Sequence, residues 1–313
     1  MDGLILIDKP QNITSHRVVI EIRKILNIKK VGHYGTLDPI ATGLLVIAVG
    51  KATKLFPLFS KTDKVYKGQI RLGYSTDTYD SQGKFTSSEK KVYPSEEHLL
   101  GMMKKFEGET DQIPPLFSAK KYKGKPLYAL AREKKEFELR SNKVFIHFFR
   151  LKAYNPPFIS FAVKCSSGTY IRSLAHDLGQ IFGCGAHLSQ LTRTEVGNFN
   201  LKDGFSLEKI KRFTEKGKID EFFIPLEVLF PEYPKIVLKE DGLTLARNGN
   251  LIFPEKILTI FQQESLFSDT SEEEEIIFKL FSIEGKLLAL ARKIPEKNCL
   301  HPFLVIDSIK EKK

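Results

Sequence analysis

The chain has 313 residues, 42% of them hydrophobic, and its 49 basic against 38 acidic side chains leave a formal charge of +11. That length allows one to three domains with a sizeable core, and the basic excess favours a polyanionic partner, nucleic acid before an anionic membrane surface, with solubility from surface lysines as the plain alternative. The three cysteines, Cys165, Cys184 and Cys299, show no metal-ligand spacing and suit a reducing cytoplasm; the seven histidines are scattered, and residues 1–10 have neither the basic segment nor the apolar length of a signal peptide or anchor.

In chain order, residues 4–8 read as a short apolar strand ending in Asp8-Lys9-Pro10. Thr14 and Ser15 can cap a helix in which Val18, Val19, Ile22, Ile25 and Leu26 share one face. Lys9 by itself reads as a solvated strand end. The loop that follows the helix opens the segment Gly32-His-Tyr-Gly-Thr-Leu-Asp-Pro-Ile-Ala-Thr-Gly43, which runs into a buried strand over 44–49. Glycines at 32, 35 and 43 and Pro39 make it turn-prone, so His33 and Asp38 are predicted on a glycine-rich loop against a rigid core element. Asp38 is either a turn residue bonded to nearby amides or a group that does chemistry, and chemistry needs partners from elsewhere in the chain. A phosphate-binding loop is excluded, because Gly50-Lys51 is followed by Ala52.

Residues 66–72 alternate, with Tyr66, Ile70 and Leu72 on one side and Lys67, Gln69 and Arg71 on the other, as in a half-buried antiparallel strand. A short helix follows over 99–106. Residues 107–125 form a Pro-, Gly- and Lys-rich stretch without periodicity, in which Lys120, Lys121, Lys123 and Lys125 surround Tyr122; a helix over 127–132 closes it. Charge around an aromatic face suits RNA, although charged runs are usually solvated loops. Strands are predicted over 144–151 and 159–165. Gly168 breaks the second, Thr169 can cap a helix, and Ile171, Leu174, Ala175, Leu178 and Phe182 build its apolar face. Arg172 falls off that stripe and by itself reads as a surface residue. From Pro231-Glu-Tyr-Pro234 onward the pattern is strand-like, with runs at 235–238, 251–253, 276–283, 287–291 and 303–306 and a solvated acidic run at 272–275, a compact β-domain of about 75 residues.

The segment GHYGTLDPIATGLLVIAVGKATK resembles the catalytic motif of the TruB family of bacterial tRNA pseudouridine synthases. Further stretches resemble family motifs in the same order: Lys9-Pro10, the K-x-Y run ending at Tyr66, IPPLFSAKKYKGK, and CSSGTYIR followed by Leu191 and Arg193. Tyr34 stands where the family usually has Thr. The resemblance implies an α+β fold, with a mostly antiparallel mixed sheet flanked by helices as catalytic domain (1–230) and a small β-rich PUA-like RNA-binding module (235–313). It implies conversion of uridine to pseudouridine at position 55 in the TΨC loop of tRNA by base flipping. Asp38 would be the nucleophile, Tyr66 would stack on the uracil, and Arg172 would pair with Asp38. Tyr170 and Leu191 would shape the pocket, Lys9 would support the catalytic loop, and His33 would fill the space left by the flipped base. The 107–125 insert would clamp the T-arm. No cofactor or metal is implied, nor a membrane, a guide RNA or a protein partner; the expected form is a cytoplasmic monomer.

Overall fold

The computed structural model describes residues 1–118, 141–261 and 276–307, together with the backbone of 121–122 and 125–126. Strand β1 (Gly3–Lys9) leads to helix α1 (Ser15–Leu26), then β2 (Val31–Tyr34), β3 (Thr42–Val49) and β4 (Lys64–Leu72). Helix α2 (Glu96–Lys105), the strands β5 (Gly108–Gln112), β6 (Asn142–Asn155) and β7 (Phe158–Cys165), helix α3 (Ile171–Ile181) and β8 (Ala186–Val196) follow, then α4 (Leu207–Glu215) and the short β9 (Phe223–Pro225). One ten-stranded sheet takes these strands in the order β9-β1-β3-β8-β4-β7-β6-β5, with β2 added on β3 and residues 199–200 on β8. Its pairings are antiparallel except between β8 and β3, where Thr192 and Arg193 run beside Thr42 and Gly43. It is therefore the mixed, mostly antiparallel sheet expected, with helices against it.

The central strands β1 and β3 are apolar at nearly every position because they are covered on both faces. Ile5, Ile7, Leu45, Ile47 and Val49 point into one core, with Val18, Val19 and Ile22 of α1. The intervening Leu4, Leu6, Leu44, Val46 and Ala48 point into a second core on the opposite face, which also takes Phe281, Leu287, Leu290 and Ile306. Each such side chain contributes about 1.5–3 kcal/mol on burial, so the period-2 alternation of two strands anchors both layers.

Phe281, Leu287 and Leu290 belong to a five-stranded sheet ordered β11-β10-β12-β13-β14, and Ile306 directly follows its last strand. Its strands are β10 (Lys235–Leu238), β11 (Ile257–Phe261), β12 (Ile277–Phe281), β13 (Leu287–Ile294) and β14 (Cys299–Val305). Residues 251–253 are not a strand; Ile252 makes only an isolated bridge to Leu300. A helix, α5 (Glu240–Asn248), lies in a stretch with no predicted element, although its signals are present: acids in the first turn, Arg247 in the last, and Gly249 in a left-handed cap.

Further differences follow from local chemistry. The 107–125 stretch opens with β5, which adds antiparallel to β6 and forms the sheet edge. Backbone pairing, rather than any apolar period, makes it a strand. Thr14 caps α1 as predicted, accepting from the Arg17 amide. Thr169 does not cap α3; its hydroxyl donates to the Ser166 carbonyl at 2.9 Å, and Tyr170 takes the capping position. The lysines at 120 and 123, the side chains of Lys121, Tyr122 and Lys125, the 127–132 helix and the acidic run at 272–275 lie outside the described residues.

Candidate active site

Asp38 sits on a loop braced from two sides. Gly35 leaves β2 with φ of +88°, a conformation that favours glycine. The Ser15 hydroxyl accepts from the Leu37 amide (2.8 Å) and donates to its carbonyl (3.1 Å), fixing the loop to the start of α1. From the sheet side, the buried Arg193 guanidinium donates to the carbonyls of Leu44 (2.8 Å), Gly35 (3.0 Å) and Thr36 (3.5 Å). Gly43 permits the close approach of the β8 backbone that carries Arg193, since a Cβ there would lie 2.4 Å from the Arg193 carbonyl oxygen. His33 is not on the loop. It belongs to β2, where pairing opposite Ile47 extends the sheet by one strand.

Arg172, in the first turn of α3, is buried with 4% of its side chain exposed, whereas Asp38 is 37% exposed. The surface reading of Arg172 fails because its charge is matched inside. Its Nη2 donates to Asp38 Oδ1 at 3.2 Å and Nε lies 2.8 Å from Oδ2; the second contact is electrostatic, with the N–H not directed at the oxygen. Nη2 also donates to the Phe117 carbonyl (3.1 Å), and Nη1 to the Thr78 carbonyl (3.0 Å), with Asp80 Oδ2 3.6 Å away. A buried guanidinium held by two carboxylates and two carbonyls keeps a fixed orientation and holds the Asp38 carboxyl in place.

The pair opens on a cavity of about 310 Å³, at the small end for ligand pockets. Asp38, Tyr66, Tyr170, Arg172 and Leu191 line it together, so five of the seven sequence-selected residues converge. Burial raises the Tyr66 phenol's pKa, while Arg193 beside it works the other way. The Tyr170 backbone is gripped by Gln112, whose side chain accepts from the Tyr170 amide (2.6 Å) and donates to its carbonyl (3.0 Å). Lys9 and His33 do not line the cavity. Lys9 is fully buried rather than solvated: its Nζ donates to the Pro10 and Ile13 carbonyls at 2.9 Å each, and burial brings its pKa down to about 8 against the opposing pull of Asp38. It thus braces the turn before α1. His33 is half-buried, and burial, then Arg193 and His16, lower its pKa.

Sequence reasoning passed over three contributors. Asp80 lies in the Thr-Asp-Thr-Tyr-Asp-Ser-Gln-Gly run, whose polar turn residues offered a signal; Lys64, its pKa lowered by burial to about 8, lines the cavity; Gln112 gave no signal. Among the described residues no cluster of His, Cys, Asp or Glu could hold a metal ion, and no helix is long and apolar enough to cross a membrane.

The fold matches known structures. A chain in the structure of an H/ACA RNP bound to a substrate RNA containing 2'-deoxyuridine superposes with a TM-score of 0.70, 24% identical over 97% of this chain and 84% of that one. A chain of a Cbf5-Nop10-Gar1 complex gives 0.70 at 25% identity, over 98% and 85%. Family models place the sequence more closely. Residues 23–171 match the N-terminal domain of TruB family pseudouridylate synthases, and 172–230 match the C-terminal domain of tRNA pseudouridylate synthase B. Relatives named tRNA pseudouridine synthase B include those of Solibacter usitatus (42% identity, 80% of this chain, 85% of the relative) and Clostridium tetani (40%, 88% and 94%). That of Bacillus pumilus is 35% identical over 99% of each chain. The protein is thus an enzyme of the pseudouridine synthase class, an isomerase. Within that class it belongs to the TruB family.

Proposed function

We propose that the protein converts uridine to pseudouridine at position 55 in the TΨC loop of tRNA, with Asp38 as the nucleophile. The observation that carries this reading is a half-exposed carboxylate held by a buried arginine at the wall of a small, tyrosine-lined cavity. The reaction breaks the N1–C1′ glycosidic bond, turns the uracil and joins C5 to C1′. The C5 proton is lost and N1 gains one, so the change is redox-neutral and calls for no external oxidant or reductant. A detached base must be retained and water kept away, which suits a pocket enclosed by Tyr66, Tyr170 and Leu191. The target has to leave its stack first, at on the order of a few kcal/mol.

In this reading Tyr66 stacks on the uracil, Arg172 orients Asp38, and Lys9 supports the loop from below. His33, on β2, enters the space vacated by the flipped base. Residues 1–230 act as the catalytic domain, 107–125 as a clamp on the T-arm, and 235–313 as a PUA-like RNA-binding module. The net charge of +11 supports shape and phosphate recognition. The names of the relatives support tRNA as substrate; in this reading the protein acts as a cytoplasmic monomer without guide RNA.

The test uses unmodified tRNA transcript and purified protein alone. Tritium release from C5 of uridine is counted, and the modified position is mapped by carbodiimide treatment and reverse transcription. Release at a single T-loop uridine is expected. Tight binding without release would turn the reading towards a non-catalytic RNA-folding protein or a guide-dependent enzyme.

A further inference from the structure

Thr78 and Asp80 both reach the same guanidinium nitrogen of Arg172, the first through its carbonyl and the second through its carboxylate. Two residues of one turn converge on one atom only if the residue between them reverses the chain. Tyr79 does this: its φ is +62°, a left-handed conformation unfavourable for a bulky side chain. The conformation is held at the backbone, where the Tyr79 amide donates to Thr76 and its carbonyl accepts from Leu188 of β8. It is also held at the ring, which stacks on His176 with centroids 3.8 Å apart and planes within 12°. His176 lies one helical turn beyond Arg172 on the same face of α3. Four positions on, one further turn along, lies the polar end of the same contact, where Gln180 Nε2 donates to the Ser75 hydroxyl at 3.2 Å.

The turn is otherwise built around Asp80. Asp80 Oδ1 accepts from the Thr78 hydroxyl (2.7 Å) and the Gln82 amide (3.0 Å), and the Thr76 hydroxyl donates to the Asp80 carbonyl (2.7 Å). That leaves Oδ2 for Arg172. We infer that the Tyr79–His176 stack is a positioning device for the reaction: it fixes the Thr78–Asp80 turn against α3, and through Asp80 and the Thr78 carbonyl sets the orientation in which Arg172 holds Asp38. Among the described residues His176 Nδ1 is buried without a hydrogen-bond partner, and the contact the ring makes with Tyr79 is through its face. The inference rests on the reading of Asp38 and Arg172 given above.

The test measures single-turnover rate and tRNA affinity for full-length variants. Tyr79→Asn keeps a residue that tolerates the left-handed backbone but removes the ring; His176→Ala removes its partner; His176→Phe restores a stacking face. Tyr79→Asn and His176→Ala are expected to slow the chemical step about tenfold, with tRNA affinity within about twofold of the parent and unchanged cooperative melting. His176→Phe returns the rate to within about twofold, and adding His176→Ala to Asp80→Asn slows that variant no further, because both act through one arginine. Weakened affinity at an unchanged rate, independent losses with Asp80→Asn, or no effect would each overturn the proposal. Asp38→Asn is run alongside. Its inactivity with normal turnover by His176→Ala removes the proposal alone, whereas normal turnover by Asp38→Asn removes the underlying reading and the proposal with it.

Discussion

Two ionic centres of this molecule use the same groups in opposite proportion. At the candidate active site one buried arginine faces two carboxylates, and the acid Asp38 keeps over a third of its surface open. Where the two sheets meet, one buried carboxylate, Asp307, faces three cations: Lys51 at 2.5 Å, Lys286 at 3.1 Å and Arg247 at 3.2 Å. Lys54 adds hydrogen bonds to the Val305 and Ile306 carbonyls, closing the second centre around the chain end of β14. The difference lies in which charge remains reachable. A buried anion ringed by surface cations ties two layers together and offers nothing to a substrate. A buried cation that leaves its anion exposed holds a reactive group still.

The largest effect expected of this comparison is at the exposed anion. Asp38→Asn keeps the shape and several hydrogen bonds but removes the nucleophile, and tritium release should fall by about 10³-fold or more while tRNA binding and thermal unfolding stay near the parent. Next comes Arg172→Lys. A single ammonium cannot span Asp38, Asp80 and the two carbonyls, so release should fall about 10²-fold. Arg172→Ala should also unfold at lower denaturant, because Asp80 is then buried without its counter-charge; losses of about 3–5 kcal/mol accompany broken buried pairs. Full activity in Arg172→Lys would mean that the guanidinium is structural, and the two centres would then be alike.

How much of this was legible in the sequence depended on the range of the interaction. Local patterns gave β1, β3, β4 and the first helix: the alternation of Tyr66, Ile70 and Leu72, the Thr14 cap, and the apolar run entering β3; β2 and β5 lie in stretches read as loop. The motif resemblance brought Asp38, Tyr66, Tyr170, Arg172 and Leu191 to one cavity, which no spacing could do across 153 residues of chain. What escaped was set by partners remote in sequence. Lys9 looked solvated because its acceptors, the Pro10 and Ile13 carbonyls, are backbone groups presented by a turn. Arg172 looked like surface because its partners come from three separate loops. Gln112 gave no signal at all, since its role is to pair with the backbone of Tyr170. Helix α5 was missed for another reason: its cap signals were present but lay inside a tail whose strands dominated the pattern.

The structural centre makes a smaller prediction. Burial opposes the charge on Asp307, but hydrogen bonds from Lys51 and Lys286 and their charges outweigh it and hold the carboxyl at about 2. A carboxylate with a depressed folded pKa adds stability above its unfolded value near 3.8, and that stability is lost as pH falls from there towards 2. Asp307→Asn should therefore cost about 1–2 kcal/mol in urea denaturation at pH 7, allowing for solvent screening, with the cost shrinking below pH 4. Its effect on tritium release should be small beside that of Asp38→Asn. A large loss of release with intact folding would show that the sheet-to-sheet tie also serves the reaction.

Asp177 supplies the smallest effect and the opposite sign. It lies on α3, five residues after Arg172, and burial, with no cation paired to it among the described residues, pushes its pKa up to about 6. The folded chain then holds this proton more tightly than the unfolded chain does. Stability falls as pH rises from about 4 through 6, and above that range the ionised carboxylate is a net burden. Asp177→Asn mimics the protonated group, so it should gain about 1 kcal/mol at pH 7.5, discounted for the half-exposed side chain, with the gain fading towards pH 4.5. Urea midpoints at the two pH values measure it. The same substitution, acid to amide, is thus expected to weaken the protein at 307 and strengthen it at 177, because cations surround one carboxyl and not the other. Equal signs at the two positions would mean that the local field does not decide what these charges contribute.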